Sequence, residues 1–135
     1  MAAEEAFDYN LSEAAIEKRA LVVDDDILIR GDIADALREE NWEVIEAGTA
    51  DEAIEVLSRD NSFHLVITDV HMPGMKNGLD LAREVNERHP GIKVAVMSGQ
   101  HLPTAEDRAI FDLFLLKPVF NIASALTPLI GDEHE

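Results

Sequence analysis

The 135-residue chain contains no cysteine, so neither a disulfide framework nor a thiolate metal site can form, a composition that suits a reducing cytoplasm. Positive charge is scarce too: 11 Lys and Arg stand against 28 Asp and Glu, a formal charge of -17. Such a surface is not built to hold a phosphate backbone or an anionic lipid face, and neither nucleic acid nor membrane is expected as a direct partner. Most of that acidity serves solubility. No apolar run approaches the ~20 residues of a membrane-spanning helix, and the start, MAAEEAFDYN, lacks the basic region and apolar core of a signal peptide. The length fits about one domain, and the 47% hydrophobic content argues against disorder.

Residues 1–19 read as an N-terminal extension with a weak helix after an N-cap at Ser12, Leu11, Ala15 and Ile16 sharing a face. Regular patterning begins at Ala20 and runs to residue 130, leaving a short tail, 131–135. ALVVDDD is a strand, and Ile29, Ile33, Ala36 and Leu37 follow at helical spacing. WEVIEAG (42–48) is a second strand, and Thr49 with Glu52 makes a capping box ahead of Ala50, Ala53, Ile54 and Leu57. A third strand (63–69) leads to a helix over 78–88, and a fourth strand (92–98) to a short helical stretch around 104–110. The fifth strand (112–116) precedes a last helix from Ile122 that Pro128 kinks or shortens. Alternating apolar strands and helices predict an α/β fold: a parallel sheet covered on both faces.

Parallel strands put all their carboxyl ends on one edge, where open α/β sheets hold their ligands. Asp24, Asp25 and Asp26 follow the first strand, Asp69 the third, Ser98 the fourth and Lys117 the fifth. Singly these read as a turn, a loop residue and a solvated end; together at four strand ends they point to a site. Two carboxylates ~4 Å apart cost roughly 4 kcal/mol at an effective dielectric of about 20. A hard divalent cation, most simply Mg²⁺, would compensate, with Lys117 a second, mobile cation. A carboxylate beside Mg²⁺ and a lysine is equipped for phosphoryl transfer, Asp69 becoming an acyl phosphate and Ser98 donating to a phosphoryl oxygen. At His71 the carbonyl rather than the ring is the expected metal contact. The rings of His64, His71, His89 and His101 read as structural or exposed, and Met72, Met75 and Met97 as packing residues.

The motifs LVVDDD, LVITDVHMPG, VMSG and FLLKP, in that order over about 20–129, resemble the receiver domain of two-component response regulators. The resemblance implies a flavodoxin-like fold of five parallel strands in the order 2-1-3-4-5 with five helices. It implies Asp69 as phosphoacceptor, Asp24, Asp25 and the His71 carbonyl as Mg²⁺ ligands, and Lys117 as the family's lysine before a cis Pro118. Ser98 and Phe114 would be the switch pair. The implied partners are a histidine kinase or histidine phosphotransfer protein, docking on the first helix from Ile27 to Leu37 with Arg30, Asp35 and Arg38 as its exposed positions, and a second copy meeting the face of helix 4, strand 5 and helix 5. Two departures stand out. Ser98 and Lys117 are only 19 positions apart, which predicts a short or irregular fourth helix, and MPGMKNG is one residue longer than the usual loop.

The expected function is therefore a stand-alone, cytoplasmic response regulator: a phosphoacceptor in a phosphorelay rather than an enzyme acting on a separate substrate. Two rival readings stand beside it. A phosphate-independent receiver would keep the fold without the chemistry. An Mg²⁺-dependent phosphatase would use Asp24 and Asp26 as an Asp-x-Asp pair, but Leu28 stands where that superfamily has Thr or Val.

Overall fold

Every apolar run expected as a strand is one. β1 (Arg19–Val23), β2 (Glu43–Ala47), β3 (Leu65–Asp69), β4 (Lys93–Ser98) and β5 (Leu113–Leu116) pair in parallel in the order β2-β1-β3-β4-β5. The computed structural model describes residues 18–100 and 103–130; the helix expected after Ser12, His101 and the tail 131–135 lie outside them. β1 begins at Arg19, one residue before the boundary read from the sequence.

Successive strand residues point to opposite faces, and both faces are covered. α1 (Ile27–Glu39) packs Ile33, Ala34 and Leu37 against Ala20, Val22, Ile67 and Met97. On the other face α2 (Ala50–Arg59) and α3 (Gly78–Arg88) bring Ala53, Leu57, Leu81 and Val85 onto Leu21, Val23, Val66 and Val96. Two-sided burial is why these strands read as continuous rather than alternating apolar runs. At the amino edge Trp42 is 6% exposed, with the Lys18 ammonium 5.8 Å from its ring centre.

Each of these helices starts at the carboxyl edge on a side-chain cap. Asp26 accepts from the N–H groups of Leu28 and Ile29, and Thr49 from that of Glu52. The box expected at Thr49 is displaced by one residue, because Glu52 Oε1 accepts from Gly48 N rather than from Thr49. Asn77 and Asp80 form a complete reciprocal box that the sequence reading passed over. Within α1, a Cβ on Gly31 would meet nothing within 4 Å. Gly31→Ala is expected to stabilise by about 1 kcal/mol, from helix propensity, read as a rise of ~4 °C in melting temperature. No rise would mean that the position carries a packing constraint the fold does not display.

The carboxyl-terminal third is less regular, as the short Ser98–Lys117 spacing predicts. The expected fourth helix is only a 3-10 turn, Asp107–Ala109, headed by Thr104 and Asp107, each side chain accepting from the other's N–H. With little helix over it, β5 leaves Leu116 58% exposed, while Phe111 packs beside Phe114 at 6.3 Å between ring centres. The last helix breaks in two, α4 (Ile122–Ala125) and α5 (Thr127–Ile130), at the turn before Pro128, which has no N–H to continue the ladder. The face expected to dimerise is thus built of a turn, an edge strand and a broken helix. Among the described residues no helix is long and apolar enough to cross a membrane.

Candidate functional site

The strand ends converge as expected. Asp24 follows β1 and is fully buried, held on each of its polar groups. Its N–H donates to Ala47 O (3.2 Å), its Oδ1 accepts from Asp26 N (2.9 Å), its Oδ2 from Lys117 Nζ (3.3 Å), and its carbonyl from Arg30 (2.9 Å). Asp69 ends β3 at 8% exposure, and its Oδ2 lies 3.4 Å from the same ammonium. Asp25 is exposed, yet one carboxylate oxygen from each of Asp24, Asp25 and Asp69 falls within 4.8 Å of the other two. Lys117 leads into a cis bond to Pro118, and its N–H donates to Ser98 O (2.9 Å).

One ammonium shared between two carboxylates satisfies neither in full. Burial pushes the Asp69 carboxyl above its ordinary range, the charge of Asp24 pushes it further, and Lys117 only partly offsets both. Burial opposes the charge of Lys117, but Asp24 and Asp69 outweigh it and raise the ammonium above its usual value. Three carboxylates against one lysine leave negative charge uncompensated in a part-buried crevice. An all-oxygen donor set of this kind suits a hard divalent cation, so the residues present fit Mg²⁺.

Ser98 is buried, and its Oγ accepts from Gln100 N (3.2 Å). Register pairs Asp69 with Met97 and Phe114 with Val96, so Ser98 stands one residue closer to the loop edge than Asp69. Phe114 packs against the same core face as Val96, the face Ser98 shares by strand alternation. The β3–α3 loop leaves and returns at Val70, whose N–H donates to Met97 O and whose carbonyl accepts from Gly78 N (2.9 Å each). His71 opens that loop and is exposed.

Some sequence expectations fail on geometry. Met75 is 91% exposed and packs nothing, unlike Met72 and the buried Met97. Arg30, expected as an exposed docking residue, turns inward: its side chain is 17% exposed and bound to Asp24 O and Glu46. Arg38 stays at the surface, although it too reaches Glu46 (3.2 Å) and Val44 O. His64 is structural, its Nδ1 accepting from Arg19 N. Gly78 was overlooked as a site residue: a Cβ there would lie 1.8 Å from the Asp69 carbonyl oxygen. Nothing in a one-dimensional pattern announces so close a backbone approach.

The family model of the response regulator receiver domain matches residues 20–121. The chain belongs to this family. Its relatives include the transcriptional regulatory protein PdtaR of Mycobacterium tuberculosis, 38% identical over 122 residues that make up 88% of this chain and 58% of PdtaR. The receiver thus spans little more than half of that relative. Among solved structures it resembles the response regulator TrrA of Thermotoga maritima in complex with Mg(2+)-BeF, at 30% identity and a TM-score of 0.75, covering 84% of this chain and 99% of TrrA. A response regulator of Burkholderia pseudomallei with a phosphorylated aspartic acid, a calcium ion and citrate matches at 26% identity and a TM-score of 0.70, over 83% of this chain and 66% of that one. This receiver is a module of two-component signalling, with the CheY-like order of strands that its motifs imply.

Proposed function

We propose that Asp69 accepts a phosphoryl group from a histidine kinase or histidine phosphotransfer protein, and that Asp24, Asp25, Asp69 and the His71 carbonyl hold the Mg²⁺ this requires. The observation that carries the reading is Lys117 Nζ lying between Asp24 and Asp69 (3.3 and 3.4 Å), with an Asp25 oxygen within 4.8 Å of both acids. In the transfer, a donor phosphohistidine protonated on its other ring nitrogen loses its N–P bond as an O–P bond to Asp69 forms, and the imidazole leaves neutral. Mg²⁺, when bound, neutralises the phosphoryl oxygens; Lys117 adds its charge from the β5 side and Asp24 keeps it aimed. In this reading Ser98, one residue towards the loop from Asp69, donates to a phosphoryl oxygen. Phe114, on the same sheet face, then repacks against Phe111, so that the modification changes the surface offered to a protein partner. The Mg²⁺-BeF and phosphorylated-aspartate structures of the relatives support this reading. The phosphatase alternative loses its second acid, because the Asp26 carboxylate caps α1.

Intact mass after incubation with acetyl phosphate tests the chemistry. One phosphoryl adduct with Mg²⁺ and none under chelation is expected; no adduct on folded protein would leave a phosphate-independent interaction module. Donor docking has its own test. Ile27 and Leu28, 68% and 77% exposed, follow Asp25 by two and three residues at the head of α1. Replacing both with Ser is expected to slow transfer from a cognate kinase about tenfold, the effect of roughly 1.4 kcal/mol, and to spare acetyl phosphate. Equal loss with both donors would place the defect in the chemistry instead.

A further inference from the structure

We propose that Arg30 is a positioning residue for the acidic site: it fixes the peptide joining Asp24 to Asp25 and so sets the geometry in which the two acids meet a metal ion. This rests on the Mg²⁺-dependent phosphoacceptor reading above.

Arg30 stands in the first turn of α1, its N–H donating to Asp26 O (2.9 Å). Helical side chains lean toward the amino end, which returns the guanidinium to the end of β1. There one terminal nitrogen donates to Asp24 O (2.9 Å), while Nε pairs with Glu46 Oε1 (3.0 Å). The other oxygen of Glu46 is taken by Arg38 (3.2 Å), which also donates to Val44 O (3.2 Å). Two arginines on α1 therefore clamp one glutamate on β2. Gly48 leaves room for the clamp, since a Cβ there would lie 3.3 Å from the Arg30 guanidinium.

The carbonyl that Arg30 grips belongs to the peptide unit linking Asp24 to Asp25. That unit is planar, so fixing its oxygen fixes how the backbone enters Asp25. The Asp24 side chain has anchors of its own in Asp26 N and Lys117, but Asp25 is exposed and takes its direction from the backbone. A cation near a metal site also repels the metal, an effect of opposite sign. Glu46 at 3.0 Å offsets that charge, and Asp35 at 3.2 Å supplies a second carboxylate for Arg38, so the cluster is balanced and the positional effect decides. Outer partners that orient ligands are typically worth 10–100-fold in metal affinity.

The test is calorimetric titration of the full chain with Mg²⁺ alone, at a temperature where each variant is folded by circular dichroism. Arg30→Ala is expected to bind Mg²⁺ about tenfold more weakly. In acetyl phosphate reactions its half-saturating Mg²⁺ concentration should rise while the rate at saturating Mg²⁺ is largely kept. Arg30→Lys should fall between the two, because a single ammonium cannot reproduce the fork that reaches Asp24 O and Glu46 together; it carries the test if the alanine variant does not fold. Mg²⁺ affinity unchanged in a folded Arg30 variant would overturn the proposal. A wild-type chain that takes up no Mg²⁺ would instead overturn the phosphoacceptor reading on which it rests.

Discussion

Asp69→Asn is expected to take up no phosphoryl group from acetyl phosphate and Mg²⁺, and to melt at a higher temperature than the wild type when metal is absent. The first effect follows from losing the nucleophilic carboxylate; intact mass reads it, and an adduct on the variant would move the acceptor elsewhere. The second follows from electrostatics. Burial and the charge of Asp24 hold the Asp69 carboxyl above its unfolded value. Between the unfolded and folded values the native state therefore binds the extra proton, and stability falls as pH rises through that window. Above that window ionised Asp69 is a full penalty, which asparagine removes. The gain should shrink as pH falls through the folded value, because the wild-type carboxyl is then neutral too. Mg²⁺ should close the gap from the other side, adding about 1.4 kcal/mol to the wild type at ten times its dissociation constant and less to the variant. Melting curves at acidic and neutral pH, with and without Mg²⁺, check all three signs; a variant less stable than wild type at neutral pH without metal would refute the electrostatic account.

Gly78→Ala is expected to cost stability and function together. Its Cβ would sit 1.8 Å from the Asp69 carbonyl oxygen and 2.8 Å from the carbonyl carbon, both backbone atoms that no rotamer change can move aside. Overpacking typically costs roughly 1–3 kcal/mol, and a backbone clash belongs at the top of that range, a drop on the order of 10 °C in melting temperature. Because the chain can relieve the contact only by moving the end of β3 or the start of α3, adduct formation should also slow. Gly91→Ala is the control, since a Cβ there meets nothing within 4 Å. A Gly78→Ala protein with unchanged melting and phosphorylation would mean that the loop yields at little cost.

What could be read in advance follows from what a linear pattern encodes. The strand ends were legible because burial on two faces makes β1, β3 and β4 continuous apolar runs, so the first polar residue after each marks the edge. Asp24, Asp69 and Ser98 follow from that; Lys117 follows from the shorter apolar run of β5, and the short fourth helix from a count of residues. Met75 and Arg30 were misread because spacing says nothing about which way a loop or a long side chain turns. The Asn77–Asp80 box could have been found, since Asn accepts at an N-cap as Ser and Thr do and Asp at N3 can stand in for Glu. Gly78 could not, because its constraint is a contact with a residue nine positions earlier in the chain.

Trp42, the only tryptophan, lies at the amino edge of the sheet, one residue before β2, whereas the acids lie beyond the carboxyl end of β1. A five-residue strand separates them, roughly 16 Å. Its indole is shielded in the folded chain and wetted on unfolding. The molecule thus carries an intrinsic fluorescent reporter of global unfolding that is spatially insulated from the acidic crevice. Emission from Trp42 should track the melting of every variant above and stay level when metal or phosphoryl donor is added to folded protein, so that loss of fold and loss of occupancy are read on separate channels.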